Sequence, residues 1–202
     1  MRDLIRRCLR RSYDPAALTG DFAVAGVAPE KRELKSAAVL VPLVERSDGI
    51  TVLLTQRTDH LANHAGQVSF PGGGAEQQDA DPVATALRET EEELGLASSY
   101  IEIAGFLDLY QTVTGFLVTP VVGFVKPEFD LRPDPFEVAE VFEVPLSFVL
   151  DPRNHQRQSR MFRGKRRHFY VIPYKNYYIW GATAAMLVSF YKKLEPELAL
   201  HR

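Results

Sequence analysis

Three glutamates with helical spacing follow a run of three glycines. Glu89, Glu92 and Glu93 are three and four residues apart, so on a helix they share one arc, where like charges repel. The preceding residues 71–74, Pro-Gly-Gly-Gly, are predicted to form a loop whose backbone can approach a ligand closely. Carboxylate and carbonyl oxygens are the ligands that Mg²⁺ and Mn²⁺ prefer. We therefore predict a divalent-metal site here; the alternative is a solvated acidic helix face, which is the commoner meaning of such a run.

The helix that would carry these glutamates is predicted over Pro82–Leu94. Asp81 suits the N-cap, Pro82 the first helical position and Gly95 the left-handed residue just past the end. The buried stripe is expected on a different arc, made of Val83, Leu87, Thr90 and Leu94. The glutamates lie toward the C-terminal end, where the helix dipole also disfavours anions. A bound cation would relieve both penalties.

The composition is that of an ordinary single globular domain with additions. The 202 residues are 46% hydrophobic and carry a formal net charge of −2, which argues against a general nucleic-acid binder. No apolar run reaches the roughly 18 residues of a membrane-spanning helix, so no membrane association is expected. The single cysteine, Cys8, excludes an intramolecular disulfide and a CxxC metal site, which favours a reducing, cytoplasmic compartment.

The N-terminus carries apolar residues at helical spacing. Leu4, Ile5, Cys8 and Leu9 predict a short amphipathic helix that docks on the rest of the chain. The arginines among them leave a targeting segment as the alternative.

Strands are predicted to outnumber helices. Two apolar runs flank residues 46–49, whose Asp-Gly pair is a strong hairpin signal. The predicted strands cover residues 37–44, 50–55, 67–70, 101–110, 116–125, 138–144 and 169–174, and a mostly buried helix covers about 182–194. Because strands and helices do not alternate strictly, a mixed-sheet α/β or α+β fold is favoured.

At the predicted metal site the chain resembles the Nudix hydrolases. Gly73 and Gly74, followed by residues 88–96 (RETEEELGL), are similar to the Nudix box, a glycine loop and a REUxEExGU helix in which U is a bulky apolar residue. The family's spacing places its loop acid at Asp79 or at Ala80. The resemblance implies an α/β/α sandwich around a mixed β-sheet, with an N-terminal helix and connecting segment over residues 1–30 and the Nudix domain over residues 31–202.

Two further segments are similar to the extended signature of the coenzyme A pyrophosphatase branch of that family: residues 53–58 (LLTQRT) and 66–73 (GQVSFPGG). This resemblance implies Mg²⁺- or Mn²⁺-dependent hydrolysis of the diphosphate of coenzyme A or an acyl-CoA. The products would be 4′-phosphopantetheine, or its acyl derivative, and adenosine 3′,5′-bisphosphate. Two alternatives stay open: a Nudix hydrolase of ADP-ribose or a dinucleotide, and a non-catalytic domain that senses a nucleotide. The partner is expected to be this small-molecule substrate, and the chain a monomer or homodimer.

The resemblance also implies roles for the residues of the box. Glu89 and Glu93 are the principal metal ligands, Glu92 is a third, and Gly73 or Gly74 supplies a carbonyl. Glu89 is also a candidate general base that acts through water. Arg88 is expected to pair with an acid of a loop or strand, either to orient the catalytic site or as a structural salt bridge.

Substrate contacts are predicted at Arg57, Phe70, Gly72 and Gly73. The family is also expected to place an additional acid on a later loop. Glu137 and Glu140 are the candidates, and the alternative for each is a solvent-facing strand residue.

Other polar and aromatic residues have two interpretations each. The most basic stretch, residues 156–167, is either a solvated hairpin tip or a surface that attracts the phosphates of coenzyme A. Tyr177, Tyr178 and Trp180 line the substrate path or belong to the core. His60 and His64 are treated as surface or substrate-contact residues because no nearby glutamate completes a zinc motif.

Overall fold

The computed structural model describes residues 1–26, 33–61, 64–162 and 165–200. The strands of these ranges are β1 (Leu18–Gly20), β2 (Lys35–Arg46), β3 (Gly49–Arg57), β4 (Val68–Ser69), β5 (Gly72–Gly74), β6 (Ile101–Phe106), β7 (Leu109–Gln111), β8 (Phe116–Val125), β9 (Val138–Pro145), β10 (Gln156–Phe162), β11 (Lys165–Tyr174) and β12 (Tyr177–Trp180). The α-helices are α1 (Arg2–Cys8), α2 (Asp21–Ala25), α3 (Pro82–Leu94), α4 (Leu146–Val149) and α5 (Gly181–Ala199).

Nine of these strands form one mixed sheet. The pairing order is β1-β7-β8-β2-β3-β4, with β5 also on β2, β6 on β8 and β9 on β3. The β2–β8 and β1–β7 pairs are parallel, and the other pairs are antiparallel. The remaining strands form a separate antiparallel sheet in the order β10-β11-β12. The predicted mixed-sheet α+β fold is confirmed.

The large sheet lies between two helical layers because strand β2 is apolar on both faces. Side chains alternate along a strand: Ala38 and Leu40 pack with Ala86 of α3, whereas Val41 and Leu43 belong to the main core cluster, which includes Phe190 of α5. The result is the α/β/α sandwich expected from the sequence.

Helix α3 has the predicted ends. The Asp81 side chain accepts a hydrogen bond from the Ala84 backbone N–H at 2.8 Å, and Gly95 is left-handed with φ 65°. The predicted buried stripe is only partly correct. Val83 and Leu87 are half-buried, whereas the buried residues are Thr85, Ala86, Thr90, Glu93 and Leu94. The helix packs against both β2 and β5, so its contact face is rotated toward Glu93.

The glycine segment is a short strand rather than the predicted loop. Gly72, Gly73 and Gly74 pair with Val39, Ala38 and Ala37 of β2, whose edge is open at this point. The predicted close approach was to a ligand, whereas the close approach in the structure is to strand β2: a Cβ on Gly72 would lie 2.4 Å from the Ala38 carbonyl oxygen.

Other boundaries also differ from the prediction. The single strand expected over residues 101–110 is two strands, β6 and β7. They are separated at Leu107 and Asp108, and Asp108 pairs with Lys193 of α5 and with Arg10. The C-terminal helix is longer than predicted and extends to Ala199.

The N-terminal helix docks as predicted. Leu4 and Ile5 of α1 and the following Leu9 are buried in the main core cluster. The expected boundary between residues 30 and 31 falls within residues 27–32, which lie outside the described ranges.

Candidate active site

The carboxylates of α3 meet the glycine strand β5. A Cβ built on Gly73 would lie 2.5 Å from the carboxyl carbon of Glu89, so only glycine leaves room for that side chain. The Gly72 backbone N–H donates to Glu93 Oε2 at 3.4 Å. Glu89 and Glu93, one helical turn apart, are therefore held beside the same stretch of backbone.

The register of β5 decides which carbonyl faces these carboxylates. Hydrogen-bonded and non-bonded pairs alternate along an antiparallel ladder. Leu40 N–H donates to the Pro71 carbonyl and Ala75 N–H to the Ser36 carbonyl, so Gly73 and Ala38 form the bonded pair between them. The ladder thus directs the Gly73 carbonyl toward β2, whereas the polar backbone groups of Gly72 point away from β2. The Gly74 carbonyl also points away from β2, but it accepts a hydrogen bond from Arg88. This geometry favours Gly72 over the predicted Gly73 or Gly74 as the source of a carbonyl ligand.

Arg88 joins the loop before α3 to the acidic face of the helix. Its Nε and Nη2 donate to the two carboxylate oxygens of Asp79, each at 3.0 Å, and Nη2 also donates to the Gly74 carbonyl at 3.0 Å. The bidentate contact lowers the pKa of Asp79 below its usual range, and hydrogen bonding to Asp79 raises the pKa of Arg88. The loop acid is therefore Asp79 and not Ala80, and the predicted pairing of Arg88 with a loop acid is confirmed.

Glu92 departs from the predicted three-carboxylate cluster. Arg88 Nη1 donates to Glu89 Oε1 at 3.0 Å and to Glu92 Oε2 at 2.9 Å, and the Glu92 side chain is 59% exposed. Within the described ranges, no three His, Cys, Asp or Glu side chains are grouped closely enough to hold a metal ion. The reason is that Arg88 draws Glu92 to the solvent side of the helix, which leaves Glu89 and Glu93 facing the glycine strand.

Arg57 and the more exposed Glu137 extend this site beyond helix α3. Arg57, at the end of β3, places Nη1 3.6 Å from Glu93 Oε1 and Nη2 3.7 Å from Glu137 Oε2. Its Nε is buried and has no hydrogen-bond partner among the described residues. Two predicted site residues from distant segments thus converge on Glu93, whereas Glu140 accepts a hydrogen bond from the Tyr177 hydroxyl at 2.5 Å. Of the two candidate additional acids, only Glu137 lies at this site.

Glu93 is the most electrostatically strained carboxylate of the site. It is 4% exposed, and its contacts with Arg57 and Gly72 are long. Burial raises its pKa to about 8, with Glu137 and Glu89 adding repulsion, although Arg57 and the Gly72 N–H oppose the shift. Burial also raises the pKa of Glu89. The buried Glu93 and the half-buried Glu89, beside the Gly72 backbone, are a donor set that fits a divalent cation.

The raised pKa of Glu93 predicts how the stability of the metal-free protein depends on pH. Between its ordinary value of 4.5 and about 8, the folded state holds a proton that the unfolded state has lost. The free energy of unfolding should therefore fall as pH rises through this window. Glu93→Gln, which cannot titrate, should show a shallower fall in urea denaturation with EDTA present. Equal slopes in the two proteins would contradict the assignment.

A cavity of about 550 Å³ opens beside the glycine strand. Its wall includes all four predicted substrate contacts, Arg57, Phe70, Gly72 and Gly73. The basic hairpin also borders it through Arg160 and Arg167, although residues 163 and 164 of the hairpin tip lie outside the described ranges. The cavity therefore has cationic and apolar walls, and it shares Arg57, Gly72 and Gly73 with the surroundings of the carboxylates.

The aromatic and histidine residues with two interpretations have different surroundings in the structure. Trp180 and His64 line the cavity, whereas Tyr177 stacks on Phe142 of the core at 3.5 Å between ring centroids. Tyr178 is exposed and donates a hydrogen bond to Gln158. His60 packs against the exposed Phe136 ring.

One cavity residue has no local sequence signal. The carboxylate of Asp21, at the start of α2, accepts hydrogen bonds from the Tyr110 hydroxyl at 2.7 Å and the Val113 backbone N–H at 2.6 Å. It thereby fixes the loop between β7 and β8, which forms part of the cavity wall. Its partners are about ninety residues away in sequence, so periodicity and motif spacing do not reveal it.

Sequence comparison places this site in a known family. The NUDIX domain family matches residues 34–164. A protein of Escherichia coli strain K12 named "Uncharacterized Nudix hydrolase NudL" is 42% identical over 153 residues, which cover 76% of this chain and 79% of the relative. The chain belongs to the Nudix family. It is a Nudix hydrolase, of the class that acts on nucleoside diphosphate derivatives and generally uses divalent metal ions.

Solved structures share the fold at low sequence identity. The MutT protein of Methanosarcina mazei Go1 aligns over 84% of this chain and 98% of its own, with a TM-score of 0.51 and 19% identity. A NUDIX hydrolase from Alicyclobacillus acidocaldarius aligns over 86% and 98%, with a TM-score of 0.51 and 17% identity. Separately, no helix in the described ranges has the length and apolar character needed to cross a bilayer.

Proposed function

We propose that this Nudix hydrolase cleaves the diphosphate of coenzyme A or an acyl-CoA, giving 4′-phosphopantetheine or its acyl derivative and adenosine 3′,5′-bisphosphate. The observation that carries the proposal is the position of the coenzyme A-type signature. Arg57, Gln67, Ser69, Phe70 and Gly72, from its two segments, line one cavity. Two of these residues also contact the buried carboxylate, since the Gly72 N–H and Arg57 both face Glu93. A signature that merely stabilised the fold would not need to lie on a cavity wall.

The size and lining of the cavity suit an elongated substrate with a charged centre. Its volume of about 550 Å³ lies within the range of small-molecule sites. Phe116, Phe169 and Met186 supply apolar wall, and Arg57 supplies positive charge near the acidic helix. Coenzyme A has this distribution, since a diphosphate separates the nucleotide from an uncharged pantetheine arm.

We further propose that Mg²⁺ or Mn²⁺ is held by Glu89 and Glu93, with the Gly72 carbonyl in place of Gly73 and with Glu92 as the third ligand. Glu92 reaches that position only if it releases Arg88, which now holds it outward. The cation, when bound, neutralises charge on the diphosphate and acidifies water. These roles fit the buried Glu93 and its repulsion by Glu89 and Glu137.

The protein's own side chains then position the reactants. Arg57, which lines the cavity, binds a diphosphate oxygen. Arg88, fixed by Asp79, orients Glu89, which accepts the proton of the attacking water. The water oxygen forms a bond to one phosphorus, the anhydride P–O bond breaks, and the departing phosphate leaves as an anion. Glu137, 3.7 Å from Arg57 Nη2, is the additional acid.

A substrate panel tests the proposal. The purified chain with Mg²⁺ or Mn²⁺ is incubated with coenzyme A, ADP-ribose and NADH, and the products are identified by mass. We expect coenzyme A to be cleaved with the highest kcat/KM. Preference for ADP-ribose by orders of magnitude would overturn the substrate assignment, and no product from any substrate would favour a nucleotide-sensing domain.

A further inference from the structure

We propose that Arg160 and Arg167 form a second anion subsite in the cavity, which receives a phosphate carried on the ribose of the nucleotide. The inference rests on the proposed function and deepens it. According to this proposal, two residues of the small sheet select a nucleotide with a 3′-phosphate, and neither belongs to α3 or β5, which carry the proposed metal ligands. The remainder of the basic stretch is not needed for this role.

The two arginines are neighbours by strand register. Arg160 of β10 lies directly opposite Arg167 of β11, and Gln158 lies opposite Phe169 on the same face. Val171 of β11, two residues beyond Phe169, pairs with Trp180 of β12. Because side chains alternate along strands, Arg160, Arg167, Phe169 and Trp180 share one face. All four line the cavity.

This arrangement concentrates positive charge on an aromatic platform. The Arg160 guanidinium lies 5.0 Å from the centre of the Trp180 ring, and Phe169 meets Trp180 edge-on at 5.5 Å. A phosphate dianion between the two guanidinium groups would accept charge-assisted hydrogen bonds from both.

The subsite is separate from the group that faces the diphosphate. Arg57 belongs to the large sheet and is flanked by Glu93 and Glu137, whereas Arg160 and Arg167 belong to the small sheet. One cavity with two cationic groups on different sheets suits a substrate with two separate phosphate groups. Coenzyme A carries a diphosphate and a ribose 3′-phosphate, whereas ADP-ribose carries the diphosphate alone.

Trp180 provides a direct readout because it is the single tryptophan of the chain. Its fluorescence is followed in metal-free buffer while adenosine 3′,5′-bisphosphate or AMP is added; these ligands differ only in the 3′-phosphate. We expect the bisphosphate to bind about tenfold or more tightly than AMP, as charge-assisted hydrogen bonds predict. The double change Arg160→Gln and Arg167→Gln should bring the two affinities to within about twofold.

Arg166→Gln is the matched control. Arg166 is exposed, lies opposite Met161 and points to the other face of the hairpin, so the same charge change should leave the affinity ratio intact. Arg160→Gln alone, at an exposed position, should lower the ratio severalfold and covers the case in which the double variant does not fold. Equal binding of both ligands by the unaltered protein, or a ratio retained in the double variant, would overturn the subsite. The titration requires no turnover, so failure to cleave coenzyme A would overturn the proposed function without deciding this result.

Discussion

Replacing Glu93 by glutamine is expected to lower kcat/KM by several orders of magnitude, about 10³-fold or more, at saturating Mg²⁺. Glu93 is the buried carboxylate nearest the Gly72 backbone, and it has Glu89 and Glu137 as acidic neighbours. Glutamine keeps the shape and removes the charge that would hold the cation. Steady-state hydrolysis of coenzyme A over a range of Mg²⁺ concentrations measures the loss.

Glu91→Gln is the control for that experiment because it makes the same change on the same helix. Glu91 is exposed and lies on a different arc, so its variant should retain activity within about twofold. Glu92→Gln should lose less than Glu93→Gln, since Glu92 is exposed and paired with Arg88. Equal activity of the Glu91 and Glu93 variants would remove Glu93 from the metal site. Unfolding would not explain the expected loss. The raised pKa of Glu93 means that its ionised form is disfavoured in the folded state, so glutamine at this position should not lower the free energy of unfolding at about pH 8.

Replacing Gly73 by alanine is expected to lower kcat by about 100-fold with little change in stability. The added Cβ would lie 2.5 Å from the carboxyl carbon and from Oε2 of Glu89, so the carboxylate must move. Moving the end of a flexible side chain costs the fold little, but it displaces a group that must be placed accurately for catalysis. Activity is measured together with the urea midpoint of unfolding.

The neighbouring glycine supplies the comparison. A Cβ on Gly74 would meet no atom within 4 Å, so Gly74→Ala should keep near-normal turnover. Similar losses in both alanine variants would indicate a general requirement for backbone freedom in β5, and would contradict the specific contact between Gly73 and Glu89.

The features that depend on neighbouring residues were predictable from the sequence. Asp81, Pro82 and Gly95 set the ends of α3 through local hydrogen bonding and backbone preference. The three- and four-residue spacing of the glutamates fixed their common arc. The hairpin of β2 and β3 was likewise predictable, because two apolar runs and the turn between them indicate it.

The features that depend on tertiary pairing were not predictable in the same way. The glycine segment forms a strand because the edge of β2 is open at that point. The sequence of the glycine segment itself does not indicate this partner. Glu92 does not lie with Glu89 and Glu93 because it accepts a hydrogen bond from Arg88. The helical wheel alone therefore predicts too many carboxylates at the site. Glu137 and Glu140 have equivalent local patterns, and only their tertiary contacts, with Arg57 of β3 and Tyr177 of β12, distinguish them.

We infer that Glu89, Glu93 and the Gly72 backbone create a site for a divalent cation, and calorimetric titration of Mn²⁺ and Mg²⁺ measures its occupancy. We predict saturable binding at millimolar concentrations or below to the unaltered chain, with adenosine 3′,5′-bisphosphate present, and its loss in Glu93→Gln. The absence of binding to the unaltered chain at millimolar concentrations of either cation, or undiminished binding to Glu93→Gln, would contradict the claim.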